Sequence, residues 1–178
     1  SDAPGDALAP SVEVGELAAA ATPRVPATAP PTQSLAGDPV DFDARNLLDG
    51  DRATAWRMPG DGTGEEIVLE LGEEAVVTSV GLVNGYAKTD IDQAGNPVRW
   101  YRHNRTIEQV TWVFDDETEV VQRLRTTQRM QTIDVDQART SSVRLRLDAV
   151  SAPGPTERAR DFTPISEITI TGASAGSD

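Results

Sequence analysis

From Asp38 onward, apolar and polar residues alternate in short runs that are separated by glycine, Asp-Gly pairs and proline. Successive side chains of a strand point to opposite faces, so this period of two indicates strands with one buried face. The predicted strands are Glu66–Leu71, Val76–Asn84, Thr106–Phe114, Thr118–Leu124, Met130–Val135, Ser142–Val150 and Thr163–Thr171. No long stretch has the helical period, so the pattern predicts an all-β fold, an antiparallel sandwich or barrel. Asp115–Thr118 lies between two runs and predicts a hairpin turn.

Residues 1–36 have a different composition, with six of the twelve prolines of the chain and no aromatic residue. Such a segment buries too little apolar surface to offset the entropy of ordering it. It is therefore predicted to be a flexible Ala/Pro-rich tether, in which residues 22–28 are a candidate edge strand and Val12–Ala21 a candidate short helix. The folded domain is assigned to residues 37–173 and a disordered tail to residues 174–178.

The net charge of −13 repels phosphate backbones and anionic lipid, so nucleic acid is not an expected partner. The same charge is compatible with calcium and with neutral glycans. The chain has no cysteine and one histidine, which excludes disulfides and multi-histidine metal sites. No run approaches the roughly 20 apolar residues of a membrane span, so direct insertion of this fragment into a membrane is not expected. A start at Ser1 suggests a processed fragment with a signal or anchor upstream.

Asn46–Trp56 is the most informative stretch, because it holds an Asp-Gly-Asp turn, a threonine and a tryptophan in close succession. Carboxylates and carbonyls of the turn, together with the Thr54 hydroxyl, are the oxygen ligands that a hard cation such as calcium prefers. The alternative is a simple turn in which Asp49 and Asp51 cap backbone amides.

Two long loops, Ala87–Arg105 and Ala152–Pro164, are the candidate ligand loops, since long loops in a compact domain are often functional. Sugars stack their C–H faces on aromatic rings, and planar polar groups read their hydroxyls. The candidate ligand residues are Tyr86, Trp100, Tyr101, Arg102, His103 and Asn104. The alternative is that the first loop folds back and buries its rings; exposed rings favour glycan binding and buried rings favour a scaffold. Trp56 and Trp112 are assigned to the core.

The string NLLDGDRATAW resembles the A-x-D-G-x-x-x-T-x-W signature of discoidin (F5/8 type C-like) domains and of family-32-like carbohydrate-binding modules. The likeness continues through GEEIVLELGEEAVVTSVGLVNGY, NRTIEQVTWVFDDET, SSVRLRLDAV and ISEITI, from about Val25 to Gly172. It is greatest for the bacterial branch described as NADase-type glycan-binding domains. The resemblance implies a jelly-roll sandwich of the galactose-binding type, on what looks like an actinobacterial surface protein.

The resemblance also implies a structural calcium ion beneath the Asp-Gly turn. Carried over to this sequence, its ligands are the Asn46 carbonyl, the Asp49 carboxylate, Asp51, both oxygens of Thr54, the Ser166 carbonyl and Glu167.

These features predict a monomeric, non-catalytic, extracytoplasmic module that recognises a glycan or cell-envelope component through loops. The alternative is a structural or regulatory ectodomain that assembles with a protein partner and binds no small ligand. Enzymatic activity is not expected, because no serine lies in a nucleophile elbow and Gly60–Gly64 precedes a strand instead of a helix.

Overall fold

In the computed structural model, which describes residues 13–176, strands dominate and the only helices are three short 3₁₀ turns. The 3₁₀ turns are Ala18–Ala20, Ala44–Leu48 and Trp100–Arg102. The strands are β1 Gly15–Glu16, β2 Thr22–Arg24, β3 Thr32–Gln33, β4 Pro39–Val40, β5 Trp56–Pro59, β6 Glu66–Val83, β7 Thr89–Ile91, β8 Pro97–Arg99, β9 Ile107–Phe114, β10 Glu119–Arg123, β11 Gln131–Val150, β12 Phe162–Ile165 and β13 Glu167–Ser174. The prediction of an all-β fold is confirmed.

All strand pairs are antiparallel, and the largest sheet has the order β1-β13-β6-β11-β9-β10, with β2 also paired to β6. Two long strands, β6 and β11, form its centre. Each joins two runs that the sequence pattern separates, and their pairing shifts register between Asp134 and Ala138. Gln137, in this interval, has a φ of 47°. The polar residues that signal a turn therefore form a bulge, which bends the strand without ending it.

The core lies between this sheet and the short β5–β12 pair. Trp56 on β5 and Trp112 on β9 are fully buried, which confirms their assignment. The Trp112 indole donates to Gln122 at 2.9 Å, so its one polar atom is satisfied inside the core. A smaller second cluster, formed by Ala29, Phe42, Ala55, Tyr86, Val98 and Trp100, packs beside the main core.

The prediction of a free tether is wrong for residues 13–36, which pack on the sandwich. β1 pairs with β13 and β2 pairs with β6, so part of the candidate edge strand is present. Ala18, Ala21 and Ala29 are buried, and the Trp56 indole donates to the Ala27 carbonyl at 2.9 Å. Small side chains and main-chain hydrogen bonds hold this segment, and neither leaves a hydrophobic pattern in the sequence. Residues 1–12 of the predicted tether lie outside the described residues.

Two further boundaries differ from the prediction. Ser174, placed in the disordered tail, ends β13, and the Ala175 amide donates to the Glu74 carbonyl at 2.9 Å; residues 177 and 178 lie outside the described part. The Ala87–Arg105 loop contains the β7–β8 hairpin and the third 3₁₀ turn.

The hairpin turn at 115–118 is confirmed by main-chain hydrogen bonds from the Phe114 amide to the Thr118 carbonyl and from the Glu117 amide to the Phe114 carbonyl. Within residues 13–176 no helix is both long and apolar enough to span a bilayer.

Candidate functional site

A cavity of about 80 Å³ lies where the β3–β4 and β7–β8 hairpins meet the β5–β12 pair. Its lining combines aromatic rings with three cationic side chains: Thr32, Gln33, Ser34, Leu35, Val40, Phe42, Arg57, Tyr86, Lys88, Asp90, Trp100 and Arg160. The volume is well below the roughly 300 Å³ or more of pockets that enclose a whole small molecule. The cavity is therefore suited to one functional group of a larger ligand.

Arg57 on β5 forms the cationic wall of the cavity and is only 6% exposed. Its guanidinium carbon lies 3.7 Å from the centre of the Phe42 ring and 3.9 Å from that of Phe162, so two rings clamp the cation. Its side chain makes one hydrogen bond within the described residues, a long one from Nη1 to the Asn104 Oδ1 at 3.5 Å, and its buried Nε has no partner there. Burial lowers the pKa of Arg57 to about 10, so the side chain stays charged at neutral pH.

The other charges of the cavity do not compensate Arg57. Lys88 pairs with Asp90 at 3.6 Å, and the same carboxylate accepts a hydrogen bond from the Trp100 indole at 2.8 Å. Arg160 lies over the Trp100 ring at 5.1 Å from its centre. Three cations and one carboxylate thus line the cavity, an excess of two positive charges in a strongly acidic chain.

The neighbouring loop is pinned so that Arg160 stays over this cavity. The Arg160 amide donates to the His103 carbonyl at 2.8 Å, and the Arg105 amide donates to the Phe162 carbonyl at 3.1 Å. Gly154 packs so closely on the Arg102 carbonyl that an added Cβ would lie 1.7 Å from its oxygen. Only glycine allows this approach of the two loops.

The six predicted ligand residues do not form one surface. Tyr86 and Trp100 line the cavity, and burial raises the pKa of Tyr86 to about 12, so its phenol stays protonated. Asn104 is buried behind Arg57 and donates to the Trp100 carbonyl at 3.0 Å. Tyr101 is buried elsewhere, where its hydroxyl donates to Asn84 at 2.9 Å. The rings are 4–8% exposed, so the loop folds back as in the alternative interpretation and offers no exposed stacking platform.

Arg102 and His103 line a separate shallow depression, together with Thr156, Glu157 and Arg158. The His103 Nδ1 lies 2.7 Å from the Thr156 hydroxyl. Burial, followed by the positive charges of the nearby arginines, lowers the pKa of His103, so the ring is neutral at pH 7. These two predicted residues line a different depression from Tyr86 and Trp100, although the His103 ring packs edge-on against the Trp100 ring with 5.6 Å between the ring centres.

Arg57 and Phe42 were not among the predicted ligand residues. Lys88, Arg160 and the clamping Phe162 were not named individually either, but they lie within the two predicted ligand loops. Arg57 lies on a four-residue strand between two buried neighbours, where the alternation of polar and apolar residues fails. That failure, an arginine directly after a predicted core tryptophan, is the one local signal. The remaining residues come from distant segments and have no shared pattern.

The Asp-Gly turn brings together three of the predicted metal ligands. The Gly50 amide donates to both carboxylate oxygens of Glu167 at 3.1 Å, and the Thr54 hydroxyl donates to Asp49 at 2.5 Å. Burial raises the pKa of Glu167 to about 8; the Gly50 amide opposes this shift and the Asp49 carboxylate adds to it. Two carboxyl groups therefore crowd one point at the base of the turn.

The other predicted ligands have local partners for their side chains. The Asn46 amide donates to the Ala55 carbonyl at 2.9 Å, and Asp51 accepts from the Ala53 amide at 2.8 Å. The Ser166 hydroxyl accepts from the Ala87 amide at 2.9 Å, so only its carbonyl is available as predicted. No cluster of three or more acidic or histidine side chains suited to a metal occurs in residues 13–176. A cation here would need main-chain carbonyls to complete its shell, as calcium sites commonly do.

The family described as the NAD glycohydrolase translocation F5/8 type C domain matches residues 25–171. This chain belongs to that family. The match starts within the segment that packs on the sandwich and ends in β13, so it takes in residues 25–36 of the predicted tether, whereas β1 and β2 lie before it. No curated protein sequence matches the chain.

Solved structures with the same fold include carbohydrate-binding modules. A family 32 module of Clostridium perfringens NanJ, in complex with galactose, has a TM-score of 0.56 and 12% identity over 89% of this chain and 99% of that one. A second C. perfringens module, in complex with GalNAc-β-1,3-galactose, has a TM-score of 0.57 and 14% identity over 88% and 99%. A fucose-binding module of Streptococcus pneumoniae has a TM-score of 0.52 and 12% identity over 88% and 96%. At these identities the likeness is one of fold.

Proposed function

We propose that this domain is a non-catalytic, extracytoplasmic binding module that recognises a glycan or cell-envelope component through the Arg57 cavity. The observation that carries the proposal is the cavity itself, which combines Tyr86 and Trp100 with planar and charged groups on a fold used by sugar-binding modules. Ligand sites characteristically join apolar walls with a few convergent polar groups. Its small size favours recognition of one terminal group, with the rest of the glycan lying outside.

The chemistry of the cavity supports binding without catalysis. Hydrolysis of glycosides uses a pair of carboxyl groups. Among the lining residues Asp90 is the single carboxylate, and Trp100 and Lys88 already engage it. The Tyr86 phenol has a pKa of about 12 and cannot act as a base near neutral pH.

A glycan array probed with the full chain, with and without calcium, tests this function. We expect a restricted set of glycans to bind, and Phe162→Ala, which removes one ring of the Arg57 clamp, to abolish their binding. An exposed substitution on the edge strand, Val121→Ala, is the matched control and retains binding. An array without any bound glycan would contradict the proposal.

The second candidate function is assembly with a protein partner, and the buried rings of Tyr86, Trp100 and Tyr101 favour it. Buried rings favour a scaffold, whereas exposed rings would favour glycan binding. The cavity favours glycan recognition because its uncompensated charges serve no scaffold role. The array separates the two functions, since a scaffold domain leaves every glycan unbound.

We propose in addition that calcium binds at the Asp-Gly turn. The Asp49 and Glu167 carboxylates and the Thr54 hydroxyl supply oxygen donors, and the carbonyls of Asn46, Thr54 and Ser166 complete the shell. The ion would join the turn to the start of β13. Its role would be structural, fixing two segments that are distant in sequence.

A further inference from the structure

The guanidinium of Arg57 is the least satisfied charged group among the described residues. Arg57 is only 6% exposed, yet its side chain makes no ion pair within residues 13–176 and its Nε has no partner there. Taking a charge out of water is costly unless an opposite charge or full hydrogen bonding compensates it. The two clamping rings contribute part of this compensation. An anion is still lacking.

Two half-buried arginines, Arg105 and Arg146, have the acidic partner that Arg57 lacks. Arg105 donates from Nε to Asp161 at 2.7 Å and from Nη1 to the Ser151 carbonyl at 3.1 Å. Arg146 donates to Asp148 at 3.0 Å. Arg57 is the one arginine among the described residues that is buried, and it lines the cavity between Phe42 and Phe162.

The surroundings of Arg57 add positive charge where negative charge would be expected. Lys88, the only lysine of the chain, and Arg160 line the same cavity, and the one acid in its lining, Asp90, is engaged by Trp100 and Lys88. The net charge of the protein is −13, so a local excess of two cations is not a consequence of composition. Cations converging on one small cavity attract an oxyanion, and an arginine fork matches the two oxygens of a carboxylate.

We propose that the cavity binds the anionic group of an acidic sugar, a carboxylate or phosphate that inserts between Arg57, Lys88 and Arg160. This inference rests on the proposed function and specifies its ligand class. The volume of about 80 Å³ admits such a group but not a complete sugar ring. Tyr86 donates a hydrogen bond to the anion, and the ring of the sugar lies outside, over the β3–β4 and β7–β8 hairpins.

The test uses an array that carries acidic glycans beside their neutral counterparts, probed with the full chain. We expect the bound glycans to be acidic. Methyl esterification of their carboxylates, or phosphatase treatment where the anion is a phosphate ester, then weakens binding by at least about tenfold. Loss on esterification identifies a carboxylate, and loss on phosphatase treatment identifies a phosphate. Affinity also falls as the salt concentration rises, because the attraction is partly screened.

Substitutions of the cavity arginines distinguish the contribution of their charge to affinity from that of the cavity's shape. Arg57→Met keeps an apolar chain between the rings and is expected to lose at least about tenfold in affinity for the acidic glycan while remaining folded. Arg160→Gln, which keeps the clamp intact, is expected to weaken binding less and to reduce its salt dependence. Arg123→Gln, on the edge strand β10, is the matched control and retains full affinity.

Three outcomes overturn the inference, and each has a distinct meaning. Bound glycans that are neutral, or acidic glycans that bind equally after esterification or phosphatase treatment, refute an anionic ligand but leave the proposed function standing. Unchanged binding by both Arg57→Met and Arg160→Gln places the anion elsewhere on the domain. An array without any bound glycan refutes the proposed function as well.

Discussion

The Asp-Gly turn and the Arg57 cavity are eight residues apart in sequence and opposite in charge. At the turn, Asp49 and Glu167 crowd together, and neither forms an ion pair among the described residues. In the cavity, Arg57, Lys88 and Arg160 face a single carboxylate that is already engaged. The cavity therefore has cations in excess and is suited to an anion. At the turn, the raised pKa of about 8 keeps Glu167 largely protonated near pH 7, so a cation would bind there in place of that proton.

The difference between the two regions lies in how they hold their charges. The turn is exposed at Asp49 and Gly50, and the half-buried Glu167 relieves its crowding with Asp49 by holding a proton. Arg57 is enclosed by two rings, where an uncompensated charge costs more. We therefore expect a ligand at the turn to act mainly by stabilising the fold. A ligand in the cavity, in contrast, would depend on Arg57, a residue whose buried charge lowers the free energy of unfolding.

Phe42→Ala has the largest expected effect, because it opens the clamp on Arg57 and leaves a void beside Tyr86. Phe42 is 1% exposed and packs edge-on against Tyr86 at 5.8 Å. We expect a loss of about 3–5 kcal/mol in the free energy of unfolding, measured by urea titration. Val121→Ala, at an exposed position, is the control. A loss below about 1 kcal/mol would show that the clamp carries little of the stability.

Addition of calcium tests the proposed cation site at the Asp-Gly turn. If the ion binds at the turn, calcium at about 100 times its Kd raises the free energy of unfolding by about 2.7 kcal/mol, and a chelator reverses the gain. Glu167→Gln is expected to abolish this response, whereas Glu157→Gln, in the loop before β12, retains it. Calorimetric melting with calcium or chelator measures the effect. Identical melting in both conditions would exclude a structural ion at this site.

Substitutions of Arg57 and of Arg105 test whether the charge of Arg57 lacks a compensating partner. Arg57→Met is expected to leave the free energy of unfolding unchanged or to raise it by about 1–2 kcal/mol, since removal of an unpaired buried charge is often stabilising. Arg105→Met removes hydrogen bonds to Asp161 and the Ser151 carbonyl, and is expected to lower it by about 1 kcal/mol. Urea unfolding of both variants checks the contrast. A larger loss for Arg57→Met than for Arg105→Met would make Arg57 a structural residue.

The smallest expected effect is the loss of stability at acid pH that comes from Asp115 and Asp148. These two residues lie outside both the turn and the cavity. Burial alone would raise the pKa values of Asp115 and Asp148, but hydrogen bonds from Ser141, Ser142 and Thr140, and from Thr111, Arg146 and Gln109, lower both. A carboxyl group with a lowered pKa contributes stability above its unfolded value of about 3.9 and loses it as the pH falls through the folded value.

Melting temperatures measured between pH 7 and pH 2 should therefore fall at the acid end, and less steeply for Asp148→Asn than for the parent chain. An unchanged slope in that variant would contradict the contribution of Asp148.

The sequence determined the fold and the acidic turn because both depend on local pattern. A period of two in the strands predicts their buried faces, and Trp56 and Trp112 lie where that pattern puts them. Asp49, Gly50 and Thr54 lie within six consecutive residues, so a turn brings them together without help from the rest of the chain. Glu167, the distant member, was named through the family resemblance, and its place at the start of a strand with core neighbours supported it.

Tertiary structure alone decided the docking of residues 13–36 and the composition of the cavity. Main-chain hydrogen bonds and buried alanines hold the docked segment, and such contacts have no side-chain pattern that a sequence displays. The cavity joins Phe42, Arg57, Tyr86, Trp100 and Arg160 from separate segments of the chain. Tyr86 and Trp100 were predicted from the sequence and Arg57 interrupts the alternation of its strand, but Phe42 and Arg160 are ordinary in their own segments. A charge can be recognised as uncompensated only when all its neighbours in space are known.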